Sequence, residues 1–168
     1  MDVQRKGSPT STSCCCKGVK LMDKRWAIIP AIWIVTILLI QIIGFILAPS
    51  QSEIPDSCPE NSNNCHHVIV MMEGAPEDVH QNTLDWIESE SRAGTISEKN
   101  LTSHSVFRTP GLFFPDDFFV ETKCENGQSW IEIHSESRIG WGDYGVNQER
   151  VEELLEHLDS VEMDGHQC

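Results

Sequence analysis

Hydrophobic and polar residues alternate with different periods along the chain, and the longest uninterrupted apolar stretch comes first. Residues 26–48 carry no charged side chain and are mostly apolar. A bilayer core of about 30 Å needs roughly 20 helical residues. We therefore expect a single membrane-spanning helix here, with Gln41 as its one costly polar group. The alternative is a cleaved signal peptide, but the apolar region of such peptides usually spans only roughly 7–15 residues.

Beyond residue 65, the pattern changes to short apolar or alternating runs, which predict strands, and to two stretches with helical spacing. The apolar stripes of the two helices contain Val79, Thr83, Trp86 and Ile87, and Val151, Leu154, Leu155 and Leu158. Strands are expected over residues 68–72, 102–107, 118–124 and 129–137, with an ambiguous one over 95–99. Asn126-Gly127 is a strong hairpin signal between the last two. The sequence thus predicts an α+β fold, in which a small antiparallel sheet carries two amphipathic helices on one face and follows a single transmembrane helix.

Composition divides the chain into five segments. Residues 1–25 are rich in Ser, Thr, Gly and Lys without an apolar period, which is typical of a disordered basic tail. The transmembrane helix covers 26–48, and residues 49–65 form a Pro/Ser/Asn-rich linker that contains a cysteine loop. The α+β domain is expected over 66–161, followed by a tail over 162–168.

The charges on the two sides of the apolar stretch predict how it is oriented. Residues 1–25 hold six basic and two acidic side chains, whereas the remaining chain holds six basic and twenty-four acidic ones, a net charge of −18. Basic flanks stay cytosolic, so we expect a type II protein with a lumenal or extracellular domain, in the secretory pathway or plasma membrane rather than a plastid. Asn100-Leu101-Thr102 is then a glycosylation acceptor pattern at Asn100.

The acidic character of the domain excludes some partners without identifying one. Nucleic acid phosphates would be repelled by a charge of −18, and anionic lipid headgroups would be repelled as well. The simplest role of such a charge is solubility.

The seven cysteines fall into two groups. Three adjacent ones precede the span, beside basic residues, and are candidates for S-palmitoylation, although an unmodified reduced tail is the alternative: Cys14, Cys15 and Cys16. Four follow the span, where an oxidising compartment permits disulfides. Of these we expect Cys58 and Cys65 to pair and close a small loop, and we expect Cys168, on the tail, to be free.

Three motifs resemble the family catalogued as domain of unknown function 1499. They are CPENSNNC over residues 58–65, FRTPGLFFPDDFFVE over 107–121, and SESRIGWGDYGVNQER over 135–150. The last is the most specific, although Trp141 and Gly142 stand where Tyr-Ser is common in the family. The resemblance implies a fold and a set of marked positions, and it implies no activity.

The marked positions give the candidate site residues, and two interpretations of them stay open. The candidates are Arg108, Asp116, Asp117, Ser135, Ser137, Arg138, Asp143, Asn147 and Arg150. In the structural interpretation, Arg138 forms a salt bridge across the sheet to Asp116 or Asp117, Asp143 holds the glycine-rich loop, and Asn147 is the N-cap of the last helix. In the other, Arg108, Arg138 and Arg150 hold a small anionic ligand near that helix N-terminus.

The sequence contains no recognisable catalytic or metal-binding pattern. Asp116 and Asp117 are neighbours on a strand and should point to opposite faces, which disfavours a paired-carboxylate site. Four histidines lack the helical or hairpin spacing of zinc sites: His66, His67, His104 and His134. No serine lies in a nucleophile-elbow pattern. The sequence therefore predicts no metal, cofactor or catalytic residue.

The function that follows is a membrane-tethered, non-catalytic domain that binds a small anionic ligand or a partner protein. The alternative is a membrane-tethered enzyme, such as a hydrolase, that uses Asp116, Asp117, Arg138 and Asp143. A pocket lined by those four side chains would favour the enzyme, whereas their burial in mutual salt bridges would favour the binding domain.

Overall fold

The computed structural model describes residues 24–50, 53–163 and 168. Its elements, in chain order, are α1 (Lys24–Ile46), β1 (Cys65–Met72), α2 (Pro76–Ser89), β2 (Ala93–Lys99), β3 (Thr102–Arg108), β4 (Pro115–Glu125), β5 (Gln128–Ser137) and α3 (Val146–Ser160). The predicted α+β architecture is confirmed. The predictions for residues 1–23, including acylation of Cys14, Cys15 and Cys16, lie outside the described residues.

One antiparallel sheet contains all five strands, in the order β1-β5-β4-β3-β2. The hairpin between β4 and β5 turns at Asn126 and Gly127, whose φ angles are 56° and 76°. Positive φ at both central residues is what a two-residue type I′ turn requires. The ambiguous stretch near residue 95 is the edge strand β2, which also contains Gly94.

The hydrophobic core lies between the sheet and α2 with α3. Its buried members include Val79, Trp86 and Ile87 of α2, Val151, Leu154 and Leu158 of α3, and Phe118, Val120, Ile131 and Ile133 of the central strands. These are the apolar stripes that the helical spacing predicts. We call this side of the sheet the helix face.

Side chains on the other side of the sheet alternate with those of the core, and we call that side the linker face. It carries Asp117 and Phe119 of β4 and His134 of β5, all of them buried. The segment after α1 crosses this face, since Leu47, Pro49 and Pro55 line a cavity together with Asp117 and Phe119. The linker therefore covers polar side chains that the two helices cannot reach.

Helix α1 is long and apolar enough to cross a membrane, and most of its surface is exposed. Its last turns contact the domain. The Gln41 side-chain amide donates to the Phe113 carbonyl at 2.8 Å, and Arg138 donates to the Gly44 carbonyl at 3.1 Å. A Cβ at Gly44 would lie 2.5 Å from Pro115, so only glycine permits this approach. Gln41, the costly polar residue of the apolar stretch, thus has a partner.

Two disulfides join the described cysteines of the domain. The predicted Cys58–Cys65 pair is confirmed. Cys168 is not free, because it pairs with Cys124 of β4. Sequence spacing could not reveal this second bond, since it depends on where the chain end lies relative to the sheet.

Candidate functional site

The signature over residues 135–150 forms the junction between β5 and α3. Its loop turns through left-handed conformations at Gly140 and Gly145, with φ angles of 125° and 86°, and also at Tyr144, with φ of 56°. Asp143 holds the turn, because its two carboxylate oxygens accept from the Gly145 and Asn147 N–H groups at 3.0 and 2.7 Å. A carboxylate at this position also suits the positive end of the α3 dipole.

The prediction that Asn147 is the N-cap is wrong. The helix begins at Val146 with Gly145 at the cap position, so Asn147 lies inside the first turn. Its buried amide instead connects three segments. The oxygen accepts from Ser135 at 2.6 Å, and the nitrogen donates to the Asn64 carbonyl at 2.8 Å and to Ser137 at 3.1 Å. Asn147 therefore ties α3 to β5 and to the linker.

Arg150 and Asp116 form an ion pair on the helix face. Arg150 donates to one Asp116 oxygen at 3.0 Å, and to Ser135 and Asn147 at 3.0 and 2.9 Å. Its guanidinium carbon lies 4.5 Å from the centre of the Phe107 ring, a cation–π arrangement. Burial raises the pKa of Asp116, and the nearby Ser137 hydroxyl and Arg150 charge offset this only in part.

Arg138 and Asp117 form the corresponding pair on the linker face. Arg138 uses two nitrogens, which donate to the two Asp117 oxygens at 2.7 and 2.6 Å. His104 lies 2.7 Å from the same carboxylate and stacks on Phe119 with ring centres 4.1 Å apart. Burial alone would raise the pKa of Asp117, but the hydrogen bonds from Arg138 and His104 outweigh it and hold the pKa below its usual value.

The three arginines suggested as an anion site do not converge. Arg108 and Arg150 line one cavity of about 200 Å³, together with Arg92 and three carboxylates, Glu90, Glu149 and Glu153. Arg138 lies on the opposite face of the sheet. Because the three acids balance the three arginines of this cavity, it has no excess positive charge for an anion.

The four residues of the enzyme alternative do not share a cavity either. A space of about 270 Å³ on the linker face is lined by Asp117, Arg138, Glu136 and Ser137. Asp116 points to the helix face, as strand alternation predicts, and Asp143 accepts from N–H groups at the start of α3. The candidate acids and arginines are thus mainly partners of each other.

The sequence did not predict that two histidines of the linker face lie side by side. His67 and His134 are paired across β1 and β5, and their Nδ1 atoms lie 3.2 Å apart. Strand alternation places Trp130, Glu132 and His134 on one face of β5. What the spacing could not give was the register of β1, which brings His67 beside His134.

The signature loop also exposes two aromatic side chains. Trp141 and Tyr144 retain 97% and 105% of their full accessible surface. Large aromatic side chains are usually much more buried than this. Both belong to a loop whose backbone is fixed by Asp143 and by the donation of Asn64 to the Gly140 carbonyl at 3.2 Å.

Comparison with known proteins gives one family. The family model described as "Protein of unknown function (DUF1499)" matches residues 50–158, which is more than half of the chain and contains all three motifs. A search of curated proteins finds no match.

Proposed function

We propose that this chain, which belongs to the DUF1499 family of proteins of unknown function, is a single-pass membrane protein. Its domain lies outside the cytosol and binds a partner protein without catalysing a reaction. The observation that carries this is the exposed Trp141 and Tyr144 pair. Aromatic residues held on a fixed backbone are the side chains that most often dominate protein–protein affinity.

The polar residues of the signature support a structural role in this proposal. Arginine side chains or backbone N–H groups donate to each of the three aspartates, Asp116, Asp117 and Asp143. The side-chain oxygen and nitrogen of Asn147 both have hydrogen-bond partners. Such a network fixes the loop that carries the aromatic pair, so little conformational entropy is lost when a partner binds. A small anion is a weaker candidate, because buried carboxylates already neutralise Arg138 and Arg150.

The placement of the domain outside the cytosol is supported by the basic flank before α1 and by the acceptor pattern at Asn100. Asn100 is exposed, in the turn between β2 and β3. Endoglycosidase treatment of the protein from its native membrane should increase its mobility, while Asn100→Gln should show no change. A wild-type protein without any shift would remove the support for this placement and leave the partner-binding test unaffected.

The partner-binding test places a photo-crosslinking amino acid at residue 141 of the full chain in its native membrane. We expect a discrete protein adduct, which Tyr144→Ala should weaken. The matched control is the same probe at Ile96, which is 58% exposed but lies on the edge strand β2, away from the signature loop. Identical adducts from both positions, adducts with lipid alone, or no adduct would each contradict the proposal.

A loss of adduct means little if the variant unfolds, so the thermal stability of Trp141→Ala and Tyr144→Ala needs to be measured in parallel. Both side chains are almost fully exposed, and we expect changes within roughly 0.5 kcal/mol.

A further inference from the structure

We infer that Cys58, Cys65, His134 and Glu136 form a tetrahedral Zn²⁺ site when the Cys58–Cys65 disulfide is reduced to two thiols. The two cysteine sulfurs and the His134 Nε2 atom all lie within 4.8 Å of one another. The inference does not rest on the proposed partner binding, because it uses no contact of Trp141 or Tyr144.

The distances around His134 already match the edges of such a site. Zn–S bonds of about 2.3 Å and Zn–N and Zn–O bonds of about 2.1 Å give tetrahedral edges of roughly 3.5 Å between S and N and roughly 3.4 Å between N and O. Here His134 Nε2 lies 3.6 Å from Cys65 Sγ and 3.3 Å from a Glu136 carboxylate oxygen. The two sulfurs have to separate to roughly 3.8 Å. Glu136 is not among the groups that lie within 4.8 Å of one another, so its carboxylate has to move toward the sulfurs to become the fourth ligand.

Two polar contacts continue from His134 into the linker face. His134 Nδ1 lies 3.2 Å from His67 Nδ1, and His67 Nε2 lies 3.5 Å from a Glu132 carboxylate oxygen. The other ring nitrogen of His134, Nε2, is the one that faces Cys65 and Glu136.

His67 and Glu132 then act as the outer partners of the site. With metal on Nε2, the Nδ1–H of His134 donates to Nδ1 of His67, and Nε2–H of His67 faces Glu132. Glu132 in turn accepts from Lys123 at 3.2 Å. Such a chain behind a ligating histidine fixes its tautomer and orientation.

Oxidation and metal binding exclude each other at this site. A dithiol reductant donates two electrons and two protons to the Cys58–Cys65 bond, and becomes a disulfide itself. Zn²⁺ then binds both sulfurs as thiolates and releases two protons. Reoxidation by a disulfide returns the bond and expels the ion. The site is therefore loaded only where the cysteine pair is reduced.

The sequence did not suggest this site because its ligands come from different segments. Cys58 belongs to the linker, Cys65 to β1, and His134 and Glu136 to β5. The register that pairs Cys65 with Glu136 is what brings them together.

The test uses the full chain in detergent micelles, with five other cysteines replaced by serine so that only one thiol pair can respond: Cys14, Cys15, Cys16, Cys124 and Cys168. After reduction with a phosphine, Co²⁺ should bind in a 1:1 ratio with a thiolate charge-transfer band and tetrahedral d–d bands, and Zn²⁺ should displace it. The same protein with its disulfide intact should show neither band.

Side-chain variants identify the ligands. His134→Asn should weaken Zn²⁺ binding by more than 100-fold, and His67→Asn by roughly 10–100-fold, as expected for an outer partner. His66→Asn is the matched control, because alternation places His66 on the other face of β1. Absence of 1:1 binding in the reduced chain, equal binding in the oxidised chain, or His134→Asn binding that equals the control would overturn the inference. Thermal melting of each oxidised variant shows whether it is folded.

Discussion

Two neighbouring aspartates, Asp116 and Asp117, form the same kind of ion pair on opposite faces of one sheet, and the two pairs differ in what they hold together. Arg150 joins Asp116 from α3 and so links the helix layer to the sheet. Arg138 joins Asp117 and also reaches the Gly44 carbonyl of α1. The first pair belongs to the packing of the domain, and the second belongs to the contact between the domain and α1.

The pairs also differ in how well each carboxylate is satisfied. Asp117 receives two donors from Arg138 and a contact from His104, whereas Asp116 receives Arg150 on one oxygen. Among the described residues, nothing lies in hydrogen-bonding geometry to the other Asp116 oxygen. The same residue type therefore has its pKa moved in opposite directions at adjacent positions. Burial outweighs the Ser137 hydroxyl and Arg150 at Asp116 and raises its pKa, whereas Arg138 and His104 outweigh burial at Asp117 and lower its pKa.

The largest effect is expected on removal of the helix-face cation. Arg150→Met leaves the Asp116 charge buried without its partner. It also removes the hydrogen bonds that Arg150 donates to Ser135 and Asn147. Breaking a buried pair in this way costs about 3–5 kcal/mol. Urea denaturation of the full chain in micelles measures the loss, with Arg92→Met, an exposed arginine at the edge of the same cavity, as the control. A loss below about 1 kcal/mol would mean that the pair does not link α3 to the sheet.

A smaller effect is expected on the linker face. In Arg138→Met, Asp117 keeps His104 as a neighbour, so we expect a loss of about 2–3 kcal/mol, in the range for hydrogen bonds to a charged group. Because Arg138 also contacts Gly44, hydrogen exchange at the end of α1 should increase in this variant and stay unchanged in Arg150→Met. Equal exchange at α1 in both variants would contradict the division of roles between the two pairs.

The next smaller loss of stability is expected from Asp143, in the loop between β5 and α3. Asp143→Ala removes acceptors from two N–H groups at the start of α3, and loss of a cap typically costs about 1 kcal/mol. Asp143→Asn retains one acceptor oxygen and should recover part of the loss. A thermal melt that leaves both variants at the wild-type midpoint would show that Gly145 and the rest of the loop suffice to start the helix.

The smallest expected effect is a difference between Asp116 and Asp117 in how each changes the pH dependence of the free energy of unfolding. The folded pKa of Asp117 is lowered, so its contribution is present above its ordinary value of 3.8 and is lost as the pH falls below it. The folded pKa of Asp116 is raised, so burial of its charge destabilises the domain at neutral pH, and this penalty disappears on acidification through the raised pKa.

The two isosteric variants should therefore change the acid profile in opposite directions. As the pH falls below 3.8, the free energy of unfolding should decrease less in Asp117→Asn than in the wild type. As the pH falls from neutral, Asp116→Asn should not show the increase in the free energy of unfolding that titration of Asp116 contributes in the wild type. Denaturation midpoints measured from neutral to acidic pH decide this. Parallel profiles for the two variants would show that the faces do not differ electrostatically.

Most of the fold could be predicted because its signals are local. The apolar stretch of α1, the stripes of α2 and α3, and Asn126-Gly127 depend only on residues within a few turns or a single hairpin. The ambiguous β2 is an edge strand with a register shift between Thr95 and Ser97, and this irregularity explains why its alternation was weak. The role of Asn147 was mispredicted for a similar reason. Its hydrogen-bond partners Asn64 and Ser135 are distant in sequence, so local patterns did not reveal them.

The sequence by itself determined that the chain combines an apolar helix with an α+β domain, and that residues 135–150 join a strand to a helix. It also placed Asp116 and Asp117 on opposite faces, since successive side chains of a strand alternate. Only the tertiary structure decided which arginine meets which aspartate, that Cys168 pairs with Cys124, and that His67 and the cysteine pair meet at His134. These depend on strand register and on the path of the linker across the sheet, both of which are set by packing between segments that lie far apart along the chain.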